Sequence, residues 1–384
     1  MFDFLTSNSS EFEEAVENLT ASQIASTVSF YNDEQTLKDY DFVLICVNEI
    51  RGSLESETPK DIDFENIKYQ FYKLQKGNWS LSILDMGVIN AGSEISDSYY
   101  ALKSLTQNVL KEKAIPIILG GSQDLLYHQY RAYDGLKYMV NLTNIDFKFD
   151  LGDSNIDLNN ESFLSHMVVD RPYNLFNYAN IGYQTFFNPQ EEIMLLDKMF
   201  FEGYRLGEIV NDMKLVEPVL RDADLVAIDI RSVESRSLFQ EDLYPNGFNS
   251  REICALTRYA GLSDKVTSLG IYELQYLNSK LSQSLVAQML WYFVEGVKFR
   301  FNENEDIKNS DFIRYHVPID DETLVFYESQ LSGRWWIEIP SNLDKVNNKL
   351  KQHSLLPCDK ENYLSACNQE LPDRWFKACQ KNEI

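Results

Sequence analysis

The sequence predicts an α/β protein in which a mostly parallel sheet is covered by helices on both faces. Short apolar runs of strand length alternate with longer helical patterns from about residue 40 to residue 302, the arrangement that closes a parallel sheet through helical crossovers. The polar residues that suggest chemistry fall just beyond the ends of those runs, where open α/β sheets hold their ligands. With 44% hydrophobic and 13% aromatic residues, the chain can also fill a large core.

In chain order, the expected strands are 42–47, 81–84, 116–119, 138–145, 180–183, 225–230 and 266–272. The helical patterns between them are 96–113, 190–199, 206–220, 250–262 and 282–300. Residues 1–39 read as an N-terminal helical segment ahead of the main 40–302 domain. The run Glu303-Asn304-Glu305-Asp306 reads as a linker into a 303–384 extension. There, two strand-like runs flank Ser332-Gly333 as a β-hairpin, and short helices follow, one carrying Trp375.

Composition narrows the partners. A formal charge of −24 opposes binding to nucleic acid or anionic membranes. No apolar run approaches the length of a membrane span. Residues 1–37 contain no Lys or Arg, unlike a secretory leader. The five cysteines (Cys46, Cys254, Cys358, Cys367 and Cys379) lack CxxC spacing, so a cytoplasmic protein with reduced thiols is expected.

Three segments carry the chemistry: Gly120-Gly121-Ser122-Gln123, Asp146-Phe147-Lys148-Phe149-Asp150 and Ala227-Ile228-Asp229-Ile230-Arg231. Glu273 follows a later strand, and Asn48-Glu49-Ile50-Arg51-Gly52 an early one. In order and spacing these segments resemble the arginase/agmatinase/formimidoylglutamase family, the manganese ureohydrolases, over roughly residues 40–302. That resemblance implies an arginase-like three-layer αβα sandwich, here with a C-terminal hairpin and helical extension. It also implies two Mn²⁺ ions held by two His and four Asp, and a trimeric or hexameric assembly. Gln123 and Lys148 stand where the family has its histidine ligands, Arg231 where it has an aspartate, and Glu273 where its substrate-recognising glutamate falls.

An ammonium or guanidinium has no lone pair for a metal. Asp146, Asp150 and Asp229 with Lys148 and Arg231 sum to −1, so the two cations can replace the dications as counter-charges; buried carboxylates need such partners. A single metal on the three aspartates would be repelled by those cations. Flanking carboxylates keep Lys148 protonated and unsuited to nucleophilic work.

The histidines (His128, His166, His316 and His353) have no metal-binding spacing. His128 reads as a packing or surface residue, and His166 either as structural or as near the pocket mouth. Asp124, Asp153 and Glu234 read as helix caps or rim charges. Trp335 and Trp336, with Arg334, are candidates for partner binding or for packing within the extension.

The expected function is a catalytically inactive ureohydrolase-like protein, a pseudoenzyme. It would hold an Asp/Lys/Arg ion cluster, need no cofactor, and bind or scaffold a protein partner or further copies of itself. One alternative is a formimidoylglutamase-like, manganese-dependent hydrolase of linear amidine or guanidine C–N bonds. Another is a sensor that holds an anionic small molecule on Lys148 and Arg231.

Overall fold

The computed structural model describes residues 4–32, 34–54, 61–136, 139–241, 243–303, 311–319, 322–340 and 355–383. Its strands are β1 (Leu5–Thr6), β2 (Val28–Phe30), β3 (Phe42–Asn48), β4 (Ile83–Asn90), β5 (Ile115–Gly120), β6 (Val140–Ile145) and β7 (Leu175–Tyr183). They continue with β8 (Glu202–Arg205), β9 (Leu225–Asp229), β10 (Ser268–Tyr272), β11 (Phe312–Ile319), β12 (Glu322–Ser329), β13 (Trp335–Glu338) and β14 (Leu355–Cys358). The expected strand start at Tyr138, the linker residues 304–306 and His353 lie outside the described residues.

The first ten strands form one sheet in the order β1-β4-β3-β5-β10-β9-β6-β7-β8, with β2 also on β4. All pairings are parallel except β1 with β4. Alternate residues of β3 enter opposite layers: Phe42, Leu44 and Cys46 join one core cluster, and Val43, Ile45 and Val47 the other. That is the period-two burial expected of a strand covered on both faces. The chain skips from β5 to β6 across β10 and β9, so the four central strands β5-β10-β9-β6 open a crevice at their carboxyl ends.

Helices 95–111, 250–262 and 280–298 each begin with a capping box, which satisfies backbone donors at the first turn. Helices 250–262 and 280–298 approach closely at Gly261 and Gly296. A Cβ on Gly261 would lie 2.3 Å from the Phe293 carbonyl oxygen. The pattern expected as one helix over 206–220 is broken into Leu206–Asn211, a 3₁₀ turn Met213–Val216 and Glu217–Asp222. Asp212 accepts from the Lys214 amide at the first break, and Pro218 opens the last piece. The N-terminal segment contains helix Ser10–Glu17 but also supplies β1 and β2, so it extends the main sheet.

Residues 311–383 add an antiparallel sheet β11-β12-β13-β14 and helices Lys360–Cys367 and Asp373–Glu383. β12 and β13 form the expected hairpin, with Gly333 at φ +72° in its turn. Both tryptophans are interior. Trp335 stacks on Tyr315 and Tyr363, and Trp336 lies under the Arg221 guanidinium, 4.6 Å from ring centroid to charge centre. Arg334 pairs with Glu217 at 3.3 Å. Of the three candidates for partner binding or packing, Trp335 packs within the extension, while Trp336 and Arg334 reach Arg221 and Glu217 of the main domain.

Arg221 is the central peg of that junction. It is buried, donates to the Trp335 carbonyl at 3.1 Å and the Cys358 carbonyl at 2.9 Å, and pairs with Glu217. Arg221→Ala is expected to cost about 3–5 kcal/mol, because it strands buried carbonyls and a carboxylate. Urea unfolding monitored by tryptophan fluorescence would show it.

Candidate functional site

The candidate residues gather at the carboxyl ends of the four central strands. Gln123 follows β5, Asp146 to Asp150 follow β6, Asp229 ends β9 with Arg231 two residues on, and Glu273 follows β10. The register places Tyr272 beside Asp229 and Ile145 beside Ile228, so the strand ends are level. Gly121 lets the β5 loop cross the turn after β3: a Cβ there would sit 2.2 Å from the Glu49 carbonyl oxygen. Asp150 and Glu273 hold left-handed backbone, with φ of +55° and +64°. Such strain in non-glycine residues collects at functional sites.

Arg231 fills one half of the site. Its Nε lies 3.1 and 3.0 Å from the two Asp229 oxygens, and its Nη2 2.8 Å from Oδ2. The backbone N–H of Arg231 also donates to Asp229 Oδ1 at 2.7 Å. Nη2 reaches Glu273 Oε1 at 3.5 Å, and the guanidinium faces the rings of Phe147 and Tyr276. Glu273 further accepts from the Gln123 amide at 2.9 Å, Asn160 Nδ2 at 3.2 Å and Gln275 Nε2 at 2.5 Å.

The other half is built on Asp146. Its Oδ2 accepts from Gln123 Nε2 at 2.7 Å and Asn144 Nδ2 at 2.9 Å, and its Oδ1 from the Lys148 backbone at 3.0 Å. The Lys148 ammonium does not lie at the heart of the cluster as the charge count anticipated. It is partly exposed and pairs with Glu161 at 2.8 Å. The physical reason is the loop 151–162, which brings Glu161 to the rim and offers Lys148 a carboxylate nearer solvent.

That loop also closes the site. The Asn160 backbone donates to the Gly52 carbonyl at 3.0 Å, its side chain accepts from the Leu54 amide at 3.1 Å, and its Nδ2 reaches Glu273. Beneath it, Gln123, Asp146, Asp150, Asp229, Arg231 and Glu273 are at most 4% exposed. Burial and the neighbouring Asp229 push Asp146 up to about 7. Burial also lifts Glu273 to about 7 against the opposing pull of Arg231. Asp150 is raised by burial and by Asp146. Among the described residues, no group of three or more His, Cys, Asp or Glu is placed to hold a metal ion.

The surrounding candidates have local duties. Glu49 is gripped by Arg51 at 2.6 Å and by Ser98 at 2.7 Å. Asp124 stands at a helix N-terminus but does not cap it; its carboxylate accepts from the Tyr99 hydroxyl at 2.5 Å. Asp153 caps the turn at Asn155, and Glu234 accepts from Ser237. Half-buried His128 stacks on Tyr99 and is pushed down to about 3 by desolvation. His166 contacts the Ile156 carbonyl and Asp170, tying down the closing loop, and His316 is exposed on β11. Asn144, Asn160, Asn180 and Glu161 are site residues that the motifs did not mark. Beside the closed site, an open cavity of about 550 Å³ is lined by Phe186, Arg205, Glu208, Glu234 and Glu252 among others.

No family model matches the sequence, and no curated protein matches it. Solved structures do. Formimidoylglutamase from Bacillus subtilis aligns with a TM-score of 0.65 at 16% identity, covering 74% of this chain and 94% of that one. Formiminoglutamase from Trypanosoma cruzi with Mn²⁺ gives 0.62 at 17%, covering 72% and 99%. Agmatine ureohydrolase from Thermoplasma volcanium gives 0.56 at 15%, covering 74% and 98%. The fold is that of the arginase-type ureohydrolases. Identities this low establish the architecture and leave the chemistry to the residues themselves.

Three outcomes follow from the site. Glu273, with its folded pKa raised to about 7, contributes stability that is complete below its unfolded value near 4.3 and is lost as pH rises through 7. Glu273→Gln, whose new amide can donate to a turned Gln275, should be near neutral at pH 5 and stabilising at pH 8 by on the order of 2 kcal/mol. Denaturant unfolding at the two pH values measures this. Lys148→Ala, which removes a partly exposed pair, should cost about 1 kcal/mol or less. Arg231→Ala should cost about 3–5 kcal/mol.

Proposed function

We propose that this chain is a non-catalytic member of the ureohydrolase fold, with a central polar cluster that serves stability and an outer surface that serves binding or scaffolding. The observation that carries the reading is the placement of Arg231. Its guanidinium and backbone N–H cover both oxygens of Asp229. The same guanidinium reaches Glu273, which the resemblance places where the family's substrate-recognising glutamate falls.

Manganese does not fit this donor set. A cation bound to Asp229 would have to displace Arg231, and one bound to Asp146 would meet the amide donors of Gln123 and Asn144. Neither Gln123 nor Lys148 offers the imidazole nitrogen on which such sites draw. Loop 151–162 is seated on Glu273 through Asn160 and the aspartates beneath it are buried, an arrangement that disfavours entry of an amidine substrate. The anionic-ligand alternative loses support as well, because Lys148 and Arg231 are both committed to carboxylates.

The test is metal content together with activity. Protein expressed and purified with excess manganese should carry no stoichiometric Mn²⁺ by elemental analysis, and should release neither formamide, urea nor ammonia from formimidoylglutamate, arginine or agmatine. Two bound ions with turnover would restore the hydrolase reading.

A further inference from the structure

The half of the site opposite Arg231 contains buried oxygens that lack donors. Gln123 is fully buried; its Nε2 is fixed on Asp146, and its Oε1 has no hydrogen-bond partner among the described residues. Asp150 Oδ2 is likewise without one. So is Asn180 Oδ1, although Asn180 Nδ2 donates to the Lys148 carbonyl at 2.7 Å. These three oxygens come from neighbouring parts of one site. Asn180 pairs in register with Asn144, which bonds Asp146, and Lys148 lies between Asp146 and Asp150. Flipping the Gln123 amide would turn its oxygen onto the Asp146 carboxylate, so the network itself fixes which end is left over.

Two of these leftover atoms are amide oxygens, which only accept, and the third belongs to a carboxyl that only accepts in its ionised form. Buried acceptors are costly unless a donor or cation meets them. An anion would add to the repulsion, and a transition metal would find no imidazole or thiolate. Two neutral amide oxygens and one carboxylate suit a singly charged cation that gives up its water to oxygen ligands.

We infer that the Gln123–Asp146–Asp150 half of the site binds one small monovalent cation, potassium or ammonium, coordinated by Gln123 Oε1, Asn180 Oδ1 and Asp150 Oδ2. The ion shields the adjacent Asp146 and Asp150 carboxylates from each other, while Arg231 neutralises Asp229 and Glu273. Loop 151–162 lies over the site, so exchange of the ion requires that loop to open. This inference rests on the reading that the dication site has been replaced.

Thermal unfolding of the intact protein at fixed pH and ionic strength tests it, with potassium, ammonium, sodium or tetramethylammonium chloride as the only salt. Potassium or ammonium is expected to raise Tm by about 2–4 °C over tetramethylammonium, which is too large to enter. A larger effect of one of the two identifies the natural ion. In Asn180→Leu and Gln123→Leu, each removing one oxygen, the potassium effect should shrink by half or more. Because those variants can lose stability for other reasons, crystals grown with thallous acetate give a second reading. A single anomalous peak between Gln123 and Asp150 supports the site. Equal Tm in all four salts and no such peak overturn the inference while leaving the non-catalytic reading intact. Two manganese ions bound at these residues would overturn both.

Discussion

The grip of Arg231 on Asp229 and Glu273 is the contact on which the centre of this molecule depends. A parallel sheet of this topology brings the carboxyl ends of β5, β10, β9 and β6 together, and this sequence puts a carboxylate after three of them. Removing several carboxylates from water is affordable only if opposite charge comes with them. Here a planar guanidinium spans two strand ends, meets one carboxylate with two nitrogens and lies against aromatic rings. Arginine suits the place better than lysine, since its fork matches a carboxylate and tolerates burial.

Much of the fold was legible in the sequence because burial on both faces writes long apolar runs. β3, β5, β9 and β10 begin and end within about two residues of the runs that announced them. β1 and β2 were not legible: at two and three residues they carry no periodicity and owe their existence to pairing with β4. The break in the 206–220 helix was written locally, in Asp212 and Pro218, but the apolar pattern ran through it.

For the site, position was easier to read than orientation. Strand-end placement brought Gln123, Asp146, Asp150, Asp229, Arg231 and Glu273 into one cluster, and simple charge counting explained Arg231. The same counting misplaced the ammonium of Lys148, since its partner Glu161 is supplied by a loop whose path no motif fixes. Asn144, Asn160 and Asn180 escaped notice because amides on strands and loops are common, and only pairing across strands reveals which of them face carboxylates. Neighbouring residues on a strand point to opposite faces, and both faces are covered here: Trp335 packs on Tyr363 of the extension and Trp336 lies under Arg221.

The last helix, Asp373–Glu383, lies where β8 ends the main sheet. Arg374 holds Glu202 at 2.7 Å, Lys377 reaches the Phe201 carbonyl at 3.3 Å, and Lys381 contacts Asn177. Burial alone would raise Glu202, yet Arg374 and Lys381 draw it down to about 2. An open sheet margin is a template for adding strands from other molecules, and long cationic side chains across it discourage that growth. The carboxy-terminal appendage thus acts as a selvedge, finishing the woven edge so that it does not knit to its neighbours.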